Sequence, residues 1–288
     1  KKGVNVSKAE EYLKVRAQLE KSLIKNAIVA NAEGERKILH GWGENRSWFV
    51  GSYCDNDGFS RDGLTASAYW ILSGMYKAYG EVVPDILKAY ARLDSKYGLK
   101  TFKPYFSSAN DKVGRINRLP KGTAENGATY IHATLFGIWS LFELGEGKRA
   151  WEQIYKILPI THDYISTTPF VMPNSYVYNE EMGFDGESMN DWFTGSGCVL
   201  MKVIFGGIFG VRPTLDGVGI RMNSYMPTRN AEISLNVKGC IFHLKYSDKG
   251  IGERRYYING VEYPQSNLEG IFIKDEQLTA ELEIEIVD

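Results

Sequence analysis

The feature that most limits the fold of this chain is a change of period near Gly210. Upstream of it, apolar residues recur at helical spacing; downstream they alternate one by one. Over 7–30, Tyr12, Val15, Leu19, Leu23 and Ile24 mark one helix face, with Ser7 placed to cap it. The same spacing predicts helices over 64–79, 83–97, 128–144, 148–158 and 195–209. Pro84 stands where a first-turn proline is tolerated, and Gly145 ends the fourth helix. After Gly210, Ile233, Leu235 and Val237 alternate with polar residues, as do Phe242, Leu244 and Tyr246, and Leu282, Ile284 and Ile286. The run YYINGVEY places Asn259-Gly260 between two alternating stretches, a strong hairpin signal. Each amphipathic helix needs partners for its apolar stripe, so the helical part reads as a portion of a toroid that these helices alone do not close. The expectation is a mainly α chain with a barrel portion over 1–215 and a small antiparallel β domain over 216–288, divided near Pro213 and Asp216-Gly217.

Composition narrows the functional classes. A net charge of −1 over 288 residues gives no electrostatic case for nucleic acid or membrane surfaces. The longest apolar run, 198–209, contains Lys202 and is too short to span a bilayer. The three cysteines, Cys54, Cys198 and Cys240, are far apart and lack metal spacing, which favours a reducing, cytoplasmic setting over a disulfide framework. KKGVNVSKAEEYL, polar and then amphipathic, does not read as a secretory leader.

Four groups of residues could carry chemistry. Thr194-Gly195-Ser196-Gly197 opens a helix, where free N–H groups attract anions; an ordinary N-cap is the other reading. In TAENGATYIHATLF, Glu125 and Asn126 precede a helix that carries His132 in its early turns, behind a long loop. His132 is either a satisfied core residue or a donor to an anion or sugar hydroxyl. Two segments rich in aromatics, one with Trp42, Trp48, Tyr53 and Phe59, the other with Tyr176, Tyr178, Phe184 and Trp192, suit a sugar or line an inner wall. Among the acids Asp55, Asp57, Asp185, Glu187 and Asp191, no acid–base pair stands out. Zinc-ligand, nucleophile-elbow, phosphate-loop and dinucleotide motifs are absent, so no metal or cofactor is expected.

Taken in order, WFVGSYCDNDG, GRINRLPKGTAENGATYIHATLF, YVYNEE, NDWFTGSG and FGVRPTLDGVGI resemble the C-terminal half of the inverting carbohydrate phosphorylases of glycoside hydrolase family 94, the cellobiose, chitobiose and laminaribiose phosphorylase group. The resemblance runs from about Ile38 to Asn223. It implies part of an (α/α)6 barrel followed by the terminal β domain. It also implies cleavage of a β-glycosidic bond by inorganic phosphate, as co-substrate, to an α-sugar 1-phosphate. By resemblance, His132, Thr194 and Gly195 bind phosphate, Glu125 and Asn126 shape the sugar site, and Asn179 or Glu180 lies near the donor sugar. The general acid of the family lies in a DWND-like motif upstream of the matched region, and no such motif occurs here. The chain is therefore expected to need an N-terminal part of the same protein and to be inactive alone; relatives of this kind are commonly homodimers. Ala124 and Gly51 stand where the family often has basic residues, which bears on acceptor choice. An inverting hydrolase on the same toroid, a non-catalytic sugar-binding scaffold and the phosphorylase-like part of a cyclic β-1,2-glucan synthase are the rival readings.

Overall fold

The computed structural model describes residues 6–42, 49–107, 113–163, 168–191, 195–265 and 270–288. The chain divides into two compact units, 1–140 with 153–197, and 141–152 with 198–288. Among the described residues helix accounts for 38 % and strand for 27 %, so the fold is mixed rather than mainly helical. No helix among the described residues is long and apolar enough to cross a membrane.

In the first unit, helix α1 (Val6–Asn26) buries none of its residues; Tyr12, Leu13, Val15 and Leu19 are exposed. Strands Ile28–Ala30 and Arg36–Ile38 form a hairpin, its turn tied by the Asn31 side chain accepting from the Glu35 amide at 2.7 Å. The helix expected over 64–79 is broken into α2 (Leu64–Leu72) and α3 (Met75–Ala78), because Gly74 between them is left-handed at φ +84°. Helix α4 (Val83–Leu93) carries Pro84 in its first turn and stops four residues earlier than the apolar spacing suggests. There the Ser95 hydroxyl closes a turn onto the Gly98 carbonyl at 2.6 Å. Helix α5 (Ile131–Glu143) packs back on this unit: Gly137 lets Leu64 and Leu99 come within about a methyl's reach, and Tyr90 bonds Ser140 at 2.8 Å. Leu64, Leu93, Leu99, Leu135 and Ile138 are at most 1 % exposed, each contributing roughly 1.5–3 kcal/mol by removal from water. Helix α6 (Gly147–Ile157) begins in the second unit and ends in the first.

The segment 159–191, which carries no clear period and reads in sequence as a long loop, contains two strands among its described residues. Strands Ser175–Asn179 and Phe184–Met189 form a hairpin, and Ser175–Tyr176 also pairs with Tyr130–Thr129, the strand that leads into α5. Gly186 makes this sheet fit: a Cβ there would stand 2.1 Å from Cζ of Tyr97.

Helix α7 (Ser196–Lys202) starts at the end of the first unit and, in the second, runs on as a π-helical stretch, Val203–Ile208, instead of one continuous α-helix. Gly207 there lies against the Phe142 ring, where a Cβ would come to 3.0 Å. Gly210 ends the helix at φ +67°, so close to the Arg221 carbonyl that only glycine fits. Val211–Pro213, Gly217–Ile220 and Ile271–Lys274 form one antiparallel sheet. The alternating runs form a second, five-stranded sheet, with Asn259 and Gly260 left-handed in the hairpin as the Asn-Gly pair requires. This sheet is not wholly antiparallel as expected: Cys240–Ser247 runs parallel to Glu281–Val287.

Candidate functional site

The polar residues singled out before α5 and on the hairpin belong to one assembly. The turn at 120–127 and the strand Ser175–Asn179 are joined by the Tyr178 amide donating to the Gly122 carbonyl at 3.1 Å. Asn179 reinforces the junction, donating to the Lys121 carbonyl and accepting from the Glu181 amide, both at 3.0 Å. Gly122 is left-handed, and a Cβ on it would lie 2.3 Å from the Tyr178 carbonyl oxygen. Ala124, in the same turn, is a non-glycine residue at φ +43°, a conformation held by its surroundings rather than by its own preference.

Asn126 is the anchor of the turn. Its side-chain oxygen accepts from the Phe106 amide at 2.9 Å, and its two N–H groups donate to the carbonyls of Phe106 and Leu119 at 3.0 Å. Asn126 is fully buried and Asn179 is 1 % exposed, so in this conformation both hold loops and offer nothing to a ligand. The carboxylates differ. Glu125 is half-buried and takes the Arg115 guanidinium at 3.1 Å; its carbonyl accepts from the Thr101 hydroxyl at 2.8 Å. Glu180 is exposed and accepts from the Tyr178 hydroxyl at 2.5 Å, and that bond pushes the phenol pKa up.

Tyr105 closes the assembly from the segment after α4. Its ring lies on Gly127, where a Cβ would meet it at 2.2 Å, and its hydroxyl donates to the Tyr178 carbonyl at 2.7 Å. Burial first, then the nearby Tyr178, Glu180 and Glu181, push this phenol up to about 12. Beneath it lies Arg61, fully buried, bonded to the carbonyls of Pro104 and Tyr105 and to Asp55 and Asp57, and stacked 3.8 Å over the Phe106 ring. Asp55 and Asp57 are thus the counter-charges of a structural arginine. The other candidate acids are engaged too: Asp185 with Lys96 and Tyr97, which hold its pKa below the usual range, and Asp191 with the Ser188 hydroxyl. The Glu187 carboxylate accepts from the Asp185 amide.

His132 lies in the first turn of α5, two residues beyond the strand Thr129–Tyr130 that pairs with the hairpin. It is half-buried and stacked on Phe136 at 5.3 Å, and Phe136 in turn meets Tyr69 at 5.0 Å. Gly195 is exposed. Among the described residues nothing would meet a Cβ on Gly195 or Gly197, and neither has positive φ, so neither the described packing nor backbone geometry requires glycine there. Thr194, with Trp192, lies outside the described residues, as does Trp48. Of the other aromatics, Tyr176 is core, Phe59 is exposed, and Tyr53 carries Lys37 over its ring at 4.3 Å. Among the described residues, no cluster of three or more His, Cys, Asp or Glu side chains is arranged to hold a metal. Sequence reasoning missed Tyr105; the signal was the run KTFKPYF, basic and aromatic, at the start of a long connection.

Residues 6–210 match the family model described as the glycosyl hydrolase 94 superfamily, catalytic domain. The chain belongs to that family. It is 30 % identical over 185 residues, 60 % of this chain and 24 % of the other, to 3-O-beta-D-glucopyranosyl-beta-D-glucuronide phosphorylase of Paenibacillus borealis. It is 28 % identical to cellobionic acid phosphorylase of Neurospora crassa over 78 % of this chain and 30 % of that protein. It is 27 % identical to N,N'-diacetylchitobiose phosphorylase of Vibrio furnissii over 82 % of this chain and 31 % of that protein. The chain therefore spans between 24 % and 31 % of the length of these relatives.

Proposed function

We propose that the chain works as part of a longer glycoside phosphorylase, which cleaves a β-glycosidic bond with inorganic phosphate and inverts the anomeric centre to give an α-sugar 1-phosphate. The observation that carries this reading is the joined turn and hairpin at 120–127 and 175–181. A network of buried Asn, Arg and backbone groups fixes it, and it presents Glu125, Glu180 and the faces of Tyr105 and Tyr178. Rigid support under a few outward polar groups and aromatic faces is what a carbohydrate site needs. In this reading Asn126 and Asn179 act by holding the turn, while Glu125 and Glu180 meet the sugar.

Phosphate belongs at His132, Thr194 and Gly195. The glycines that open α7 support this, since described protein atoms give no reason for them and an anion approaching the backbone would. Phosphate as nucleophile removes the need for a carboxylate base, so one general acid suffices. The five acids considered in this chain are occupied by partners or by backbone, which supports an acid supplied from elsewhere in the protein and an inactive isolated chain. Relatives named for phosphorylases of glucuronide, aldonate and amino-sugar disaccharides support the phosphorylase class and leave the sugar open. We take 1–215 as the C-terminal portion of an (α/α)6 barrel and 216–288 as its terminal β domain, in a cytoplasmic homodimer needing no metal or cofactor. Steady-state kinetics of the full-length protein tests the assignment. His132→Ala should raise the KM for phosphate by about tenfold or more, the loss of one hydrogen bond to a charged group, and leave the KM for sugar little changed. A shift in the sugar KM alone would remove His132 from the phosphate site.

A further inference from the structure

Two lysines are buried among the described residues, Lys37 and Lys100, which are 8 % and 7 % exposed. Lys37 is fully provided for, donating to Ser60 at 2.7 Å and the Arg61 carbonyl at 3.2 Å, with Asp62 at 3.3 Å. Lys100 is not. Its ammonium stands over the Tyr178 ring, 4.3 Å from the centroid, with the Tyr105 ring at 5.8 Å. Among the described residues it has no hydrogen-bond or ion-pair partner, and its nitrogen is not one of the polar atoms sealed from solvent. Lys96, which stands 6.0 Å from the same ring, has its counter-ion in Asp185.

A cation–π contact recovers only a fraction of what an ammonium loses on leaving water. Burial, helped by the neighbouring Lys103 and opposed by Glu180, pushes the Lys100 pKa down. Glu180, the acid whose charge acts on Lys100, is no substitute for a partner: one of its oxygens is held by the Tyr178 hydroxyl, and it makes no ion pair with Lys100. The surroundings are those of the candidate sugar site: Tyr178 adjoins Asn179 and Glu180, and Tyr105 rests on Gly127. A flat apolar face beside a cation that lacks its anion suits a ring-shaped ligand carrying negative charge.

We propose that Lys100 is the anion-receiving group of this site, taking an oxyanion, either the carboxylate of an acidic sugar or a phosphate oxygen, beside the faces of Tyr178 and Tyr105. The inference rests on reading 120–127 and 175–181 as the carbohydrate site. It adds a specificity residue: a substrate with a charged group at this position is preferred over its neutral counterpart.

Calorimetric titration of the full-length protein with glucuronate, inorganic phosphate and glucose, at matched chloride, tests it on the wild type, Lys100→Arg and Lys100→Met. Lys100→Met should weaken binding of the relevant anion by about tenfold or more, Lys100→Arg by less, with glucose little changed. Loss confined to glucuronate assigns a sugar carboxylate; loss confined to phosphate assigns phosphate. Equal anion binding in wild type and Lys100→Met overturns the proposal. So does a wild type that binds glucuronate no better than glucose and phosphate no better than chloride, a result that needs no variant to fold. The readout does not depend on turnover. An active phosphorylase whose anion binding ignores Lys100 sinks this inference alone; a Lys100-dependent anion site without sugar 1-phosphate formation sinks the phosphorylase reading alone.

Discussion

Asn126 shows what a single residue can and cannot disclose. The ENG run marks it as unusual, and its resemblance role is to shape a sugar site. In the structure its one carboxamide bonds two backbone groups of Phe106, twenty residues upstream, and the Leu119 carbonyl. Those partners are not legible in sequence, because nothing local indicates which loop returns to meet the side chain. Asn126→Ala leaves buried backbone groups unpaired and should cost about 2–4 kcal/mol, read as a lower urea midpoint at unchanged slope. The same blindness applied to Asp55 and Asp57, which looked like candidate acids until Arg61 was found between them. A second residue sets a pH limit. The His40 ring lies against Phe102 at 4.6 Å with its Nδ1 sealed and unpartnered among the described residues, and burial lowers its pKa. As pH falls through the ordinary histidine range, the unfolded chain takes up this proton first. Stability should therefore drop toward acid by up to about 1.4 kcal/mol per pH unit from this group. Stability measured against pH in His40→Gln should lose that component; an unchanged profile would assign the acid sensitivity elsewhere.

At the scale of elements, the strong periods were legible and the interruptions were not. The alternating runs at 233–237, 242–246 and 282–286 are strands, and the Asn-Gly hairpin is where the pair predicts it. The helices expected over 64–79 and 195–209 follow the apolar spacing, yet Gly74 divides the first and a π-helical turn enters the second. The hairpin within 159–191 was missed because its strands face a turn on one side and tyrosines on the other, which gives no clean alternation. Its placement depends on close approach at glycine. Gly122→Ala would set a Cβ 2.3 Å from the Tyr178 carbonyl at a left-handed position, so it should destabilise by about 2–4 kcal/mol and disorder the site. Gly183→Ala, left-handed but with open space around it, should cost only about 1 kcal/mol. Thermal melts of the two variants side by side check this; equal losses would mean that backbone conformation alone, and not the fit of turn to hairpin, decides.

At the scale of the molecule, the family was legible because several weak motifs fall in one order, and the family match over 6–210 agrees with that order. The relative arrangement of motifs was readable; the length of the relatives, of which the chain spans between 24 % and 31 %, was not, since residues outside a chain leave no mark within it. The balance of helix and strand was also misjudged, because short strands such as Thr129–Tyr130 and Phe102–Lys103 serve the site rather than a large sheet. In the proposed function phosphate, not water, attacks the glycosidic bond. The most direct test follows the full-length protein on β-linked glucose and N-acetylglucosamine disaccharides by 31P and 1H NMR, with and without inorganic phosphate. An α-configured sugar 1-phosphate should form only when phosphate is present; free reducing sugar released at the same rate without phosphate would contradict the proposed function and return the carboxylates of the hairpin to the centre of the mechanism.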